Sequence, residues 1–191
     1  VFWRFGPDLT ARLRQSGFTT TLLCTRPWLD HVRDGAASWP TETSGEFDVD
    51  SLLAGTIEAD LTTVEGVART MEALRQQGPV DYLVNNAGFG TFGAFPDLGI
   101  EGQREMVSLH IDASITLCRA AIPFMRERGS GCIINVSSLG AFLPSAGIAV
   151  YGASKAFLNF FSLALQAELE GSGIEVQALC PGYIDTEFHA Q

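Results

Sequence analysis

Basic side chains are scarce: 12 Lys and Arg stand against 22 Asp and Glu, a formal net charge of −10 over 191 residues. Phosphate backbones are held by a basic stripe, and none is present, so a nucleic-acid partner is not expected. No uninterrupted apolar run approaches the ~20 residues of a membrane span. No signal-peptide pattern is visible, and a cytoplasmic location without a membrane is the expectation. Cysteine is sparse too. Cys24, Cys118, Cys132 and Cys180 lie far apart with no CxxC or Cys/His metal spacing, which favours reduced thiols and no metal. Repeats and low-complexity tracts are missing. So is an initiator methionine: the chain opens on "VFWRFGPDLT", which suggests a processed chain or a fragment.

What is present is ordinary for a folded domain. Apolar residues make up 46% and charged residues 18%, a balance that suits one domain over 1–191 with a sizeable core. Pro7 and Asp8 resemble a helix start and Gly17 its stop. "FTTTLLCT" has strand character and ends at Arg26, while 27–55 mixes prolines, glycines and tryptophans and predicts broken helix and loop. A regular rhythm follows. "TIEADL" reads as a strand, 63–77 as a helix, and "VDYLVNNAG" as a strand running into a turn. Residues 101–128 are helical with a bend or restart at Pro123, "GCIINVSS" is a strand, 151–170 a helix, and "IEVQALCPG" a strand closed by Pro-Gly. Alternating β and α with apolar strands predicts a doubly wound α/β fold, its parallel sheet buried on both faces and its ligands beyond the carboxyl strand ends. The 151–170 helix is apolar nearly all round, which predicts a second covering surface, such as another subunit.

"YGASK" places Tyr151 and Lys155 four residues apart, hence on one helix face. A phenol is a poor acid or base at neutral pH, and an adjacent ammonium favours its ionised form. Taken alone, the pair more often marks a boundary tyrosine beside a solvated lysine than a catalytic pair. Three strand ends add weight. Ser138 closes "GCIINVSS", where its hydroxyl can polarise a carbonyl or merely satisfy a turn. "NNAG" (85–88) and "CPGYIDT" (180–186) close two more. "GFGTFG" (88–93) matches a dinucleotide fingerprint literally, but Pro96, Gly99 and Gly102 prevent a helix from opening at once, so it reads as a loop. A serine hydrolase is the rival chemistry: "GASKA" nearly fits the nucleophile elbow, with Ser154, Asp185 and His189 in hydrolase order. That reading leaves "NNAG", Lys155 and the position of Ser138 unexplained.

"ADL" with Asp60, "NNAG", Ser138 thirteen residues before Tyr151, "YGASK", and "PG" with Thr186 together make the chain resemble the short-chain dehydrogenase/reductase family over nearly its whole length. The resemblance implies a carbonyl reductase or alcohol dehydrogenase acting on a small molecule. Tyr151 would be the general acid/base, Ser138 would hold the substrate oxygen, and Lys155 would bind the nicotinamide ribose. Asp60 would contact the adenine, Leu61, Asn85, Asn86, Ala87, Gly88, Pro181, Gly182 and Ile184 would bind the cofactor, and Thr186 would reach the carboxamide. Arg26 stands where an acidic residue would bind the ribose 2′-hydroxyl; an arginine suits a 2′-phosphate, so NADP(H) is favoured over NAD(H). Phe89, Phe92, Phe142, Leu143 and Tyr183 flank the implied site and suggest an apolar substrate. A homodimer or homotetramer through 101–128 and 151–170 is also implied. The departures are a missing first strand and glycine-rich turn, of which Gly6 would survive, an early stop after Thr186, and His110 at a catalytic position usually held by asparagine. They leave open a non-catalytic, scaffold-like relative.

Overall fold

The structure, a computed structural model, describes residues 57, 59–77 and 80–182. The expectations for 1–55, including Gly6, Arg26 and Cys24, and for Tyr183, Ile184, Asp185, Thr186 and His189 lie outside those residues.

Thr63 opens the first described helix, α1 (Val64–Gln77), its hydroxyl accepting the Gly66 N–H at 3.0 Å. That bond satisfies one of the donors that every helix start leaves orphaned. Strand β1 (Tyr82–Asn85) follows, then a loop with one 3-10 turn at Phe95–Asp97, and helix α2 (Ile100–Val107). A π-helical turn over Ser108–Ala113 joins α2 directly to α3 (Ser114–Arg128). Gly129 ends α3 at φ +69°, a left-handed cap glycine takes without a Cβ penalty. Then come β2 (Gly131–Val136), a 3-10 turn at Leu139–Ala141, helix α4 (Ala149–Glu168) and β3 (Ile174–Leu179).

The three strands are all parallel in the order β1-β2-β3, with Asn85 beside Asn135 and Ile133 beside Val176. Right-handed crossovers that step in one direction put successive helices on one face of the sheet. The contacts agree. Leu83, Ile133, Ile174 and Val176 share a core with Leu74 of α1 and with Leu117, Ala121 and Met125 of α3. Asn135 on the same face meets Ser162 of α4. In β3 the burial alternates, with Ile174 and Val176 buried but Glu175 and Gln177 exposed. The expectation of burial on both faces therefore fails for β3 among the described residues.

Two other expectations need correction. Ile57, Ala59 and Asp60 are not in a strand, and Leu61 enters a turn, so the described part of "TIEADL" is not strand. Pro123 causes no break: it lies inside α3 as an exposed residue, one turn after the exposed Arg119. The irregularity falls instead at the π turn, which carries His110.

Candidate active site

β1 and β2 both end at a cluster built around the first turns of α4. Ser137 follows β2 and donates its hydroxyl proton to the Lys155 carbonyl at 2.7 Å, pinning α4 to the sheet. From that anchored helix the Lys155 ammonium donates back to the Val136 carbonyl at 2.9 Å. Lys155 is 5% exposed, and burial lowers its pKa to about 8. Its Nζ lies 5.9 Å from the centre of the Tyr151 ring. Spacing alone had put the two on one face; the carbonyl of Val136 decides where the ammonium points.

Ser138 has extended backbone and caps the 3-10 turn, its Oγ accepting the Gly140 N–H at 3.1 Å. The bland turn-satisfying role is thus present, yet the bond uses only an acceptor lone pair and leaves the hydroxyl proton available. A Cβ on Gly140 would meet Ser138 Oγ at 3.4 Å and Tyr151 Cε1 at 3.6 Å, so hydroxyl and phenol ring flank the same glycine. Phe92 packs against Tyr151 with ring centroids 5.8 Å apart, and Phe89 against His110 at 6.5 Å. Phe92, Phe142 and Leu143 are exposed and form an apolar rim. The loop carrying Phe92 is tied to the approach of α4 by the Gly93 N–H, which donates to the Gly147 carbonyl at 3.0 Å. This confirms the loop reading of 88–93, since α2 opens only at Ile100.

His110 is 1% exposed, and its Nδ1 lies 2.8 Å from Ser154 Oγ. Burial first, and the Lys155 charge second, lower its pKa to about 3, so the ring is neutral at ordinary pH. Its Nε2 is buried with no hydrogen-bond partner among the described residues. A Cβ at Gly88 would stand 2.6 Å from that nitrogen and 3.5 Å from Lys155 Nζ. Only glycine leaves this space open, between an unpartnered ring nitrogen and a buried ammonium. A hydroxyl-rich ligand fits such a cradle, and the ribose of a dinucleotide is one.

The remaining predicted residues divide. Asn86 is exposed at the end of β1, Ala87 packs on the core, and Pro181 approaches the Ser138 turn through the Leu139 N–H, which donates to its carbonyl at 2.9 Å. Gly182 lies against Leu139 as well. Asn85, expected along a cofactor, instead turns its amide into the helix-covered face, donating to Asn135 Oδ1 at 2.8 Å and to Cys118 Sγ at 3.3 Å. Asp60 spends a carboxylate oxygen on the Thr62 N–H and hydroxyl at 2.9 and 2.7 Å, and Leu61 is buried in the core. Ser154 is 2% exposed in the interior of a regular helix, with no strand-to-helix elbow, which removes it as a hydrolase nucleophile. Sequence reasoning missed Ser137, Val136 and the contact of Ser154 with His110. Ser137 was legible only as the other half of "VSS".

A parallel sheet with crossover helices, gathering Ser, Tyr and Lys at its strand ends, defines an α/β protein of Rossmann type. The chain belongs to the short-chain dehydrogenase family, which it matches over residues 11–191. It is 38% identical over 119 residues to the ketoacyl reductase HetN of Nostoc sp., covering 60% of this chain and 42% of that protein. Among solved structures it resembles a short-chain dehydrogenase from Sphingobium yanoikuyae in complex with NADPH, at 37% identity and TM-score 0.66, covering 69% of this chain and 52% of the other. A putative NAD(P)-dependent gluconate 5-dehydrogenase from Beutenbergia cavernae with bound NADP gives 32% identity and TM-score 0.67, covering 84% and 59%. The chain thus spans about half the length of the relatives it matches.

Proposed function

We propose that the protein is an NADP(H)-dependent oxidoreductase interconverting a carbonyl and a secondary alcohol on an apolar small molecule. The observation that carries this reading is the convergence of Ser138, Tyr151 and Lys155 on one end of the sheet, beside the opening at Gly88. When bound, the dinucleotide supplies or takes up the hydride. Ser138 donates its free proton to the substrate oxygen, and Tyr151 gives that oxygen a proton in reduction or takes one in oxidation. Lys155 holds a ribose hydroxyl, its Nζ standing 5.9 Å from the centre of the Tyr151 ring. Asn86, Ala87, Gly88, Pro181, Gly182, Ile184 and Thr186 line the cofactor, and Arg26 receives a 2′-phosphate. Asp60, which is exposed, and Leu61, whose side chain is buried, reach the adenine through the turn they form. The Phe92, Phe142 and Leu143 rim favours an apolar substrate. The bound NADPH of the Sphingobium relative and the bound NADP of the Beutenbergia one support the cofactor preference.

The test has two stages. NADPH fluorescence titrated with the chain should show saturable binding, and a folded chain that does not bind would overturn the cofactor reading. Tyr151→Phe should then lower the oxidation of NADPH by a panel of apolar ketones about 100-fold or more. Its affinity for NADPH should stay within roughly threefold, because the phenol acts on the substrate oxygen. Unchanged turnover in this variant would remove Tyr151 from the proton step.

A further inference from the structure

Ser154 stands one residue before Lys155 and has no part in the reading above. Its Oγ lies 2.8 Å from the Tyr151 carbonyl oxygen and 2.8 Å from His110 Nδ1. A hydroxyl has one proton to give. Given to the carbonyl, it makes Ser154 the acceptor of an Nδ1–H, and the neutral ring then carries a lone pair at Nε2. Given to Nδ1, it leaves the ring protonated at Nε2.

The surroundings of Nε2 decide between these. That nitrogen is buried and unpartnered among the described residues, and it faces the same glycine-lined spot as Lys155 Nζ. An N–H there would be a desolvated donor turned toward an ammonium, unfavourable in both respects. A lone pair there has the complementary sign.

We propose that Ser154 is a positioning residue that locks His110 in the tautomer protonated at Nδ1, so that Nε2 presents a hydrogen-bond acceptor toward Lys155. The device ties the π turn to α4: histidine donates to serine, serine donates to the carbonyl of Tyr151, and the acceptor end of the ring is left in the cradle. Lys155 is then faced by the Val136 carbonyl from β2, the Tyr151 ring from α4 and the His110 lone pair from the π turn. Its bearing on turnover rests on the proposed oxidoreductase reading; the tautomer itself does not.

The test is nitrogen-15 NMR of the histidine rings at neutral pH, with His110→Asn used to identify the signal among the three histidines. The wild-type ring should show a single Nδ1–H pattern. Ser154→Ala should shift it toward a mixture of the two tautomers, while Ser154→Thr, which keeps the hydroxyl, should retain it. A wild-type ring protonated at Nε2 would overturn the proposal, and so would an unchanged pattern in Ser154→Ala. If the alanine variant does not fold, the wild-type and threonine spectra still decide. Lys155 is the only lysine in the sequence, so one carbon-13 lysine signal gives a second readout. Its titration midpoint should fall by roughly half a unit in Ser154→Ala as the acceptor is lost. A midpoint that does not move would show that the lone pair does not face the ammonium. Neither spectrum depends on substrate or turnover, so the lock and the oxidoreductase reading can fail separately.

Discussion

His110 and Lys155 are two basic groups buried within reach of one glycine, and their titrations pull in a consistent direction. Water cannot stabilise either cation there, so both pKa values fall, His110 to about 3 and Lys155 to about 8. The consequence for stability follows from proton linkage. Below the ordinary histidine value of 6.5, the unfolded chain takes up a proton that the native His110 refuses until about pH 3. The stabilising effect of the neutral ring is therefore complete above 6.5 and is lost as pH falls through this window. Between pH 7.5 and 5 the loss amounts to about 2 kcal/mol, from roughly 1.4 kcal/mol per unit. Denaturant unfolding at those two pH values should show wild type losing about 2 kcal/mol more than His110→Asn. Equal losses would mean that the ring is hydrated or charged in the native protein.

At the scale of elements, the site is held by bonds that cross between them. Asn135 is fully buried in β2; its Oδ1 accepts the Asn85 amide from β1, and its Nδ2 donates to Ser162 of α4 at 2.8 Å. This chain fixes the two strand ends and the active-site helix against one another. Buried amides that lose a partner retain their desolvation cost without the bond. Asn135→Ala should therefore destabilise by about 3 kcal/mol, combining the orphaned Asn85 amide with the cavity left behind. Ser162→Ala, which removes the bonds to the Asn135 amide and the Leu158 carbonyl and orphans the former, should cost about 2 kcal/mol. A shift below 1 kcal/mol for Asn135→Ala in urea unfolding would show that water replaces the missing amide. Element periodicity was plain from the chain: α1, β1, β2, α4 and β3 all fall within a few residues of their expected places. Pro123 misled because a proline pattern does not say which side of a helix it occupies. The π turn had no sequence signal at all. Its buried Leu109, His110 and Ala113, with Ser114 at the start of α3, continue the spacing of an ordinary amphipathic helix.

At the scale of the molecule, the described helices cover one face of the sheet and α4 itself has an uncovered side. Leu158 and Ser162 are buried, while Phe160 and Leu163 are 77% and 72% exposed. Two large apolar side chains one turn apart on a rigid helix are poorly placed facing water. The proposed self-association through this helix predicts that Phe160→Glu with Leu163→Glu converts a dimer or tetramer to a monomer in sedimentation, without lowering the unfolding midpoint of the subunit. A wild-type chain that sediments as a monomer at high concentration would end that proposal.

The sequence by itself determined the family, the order of strands and helices, and the sharing of one helix face by Tyr151 and Lys155. Each of these is written in a motif or in a period of two or 3.6 residues, and so is complete within a short window. Only the tertiary structure decided that Asn85 turns inward to a partner 50 residues away and that Ser154 meets His110 across 44. Such bonds depend on how helices seat on the sheet. A polar side chain near a strand end has the same local pattern whether it faces a ligand or a neighbouring element, and packing alone selects between them.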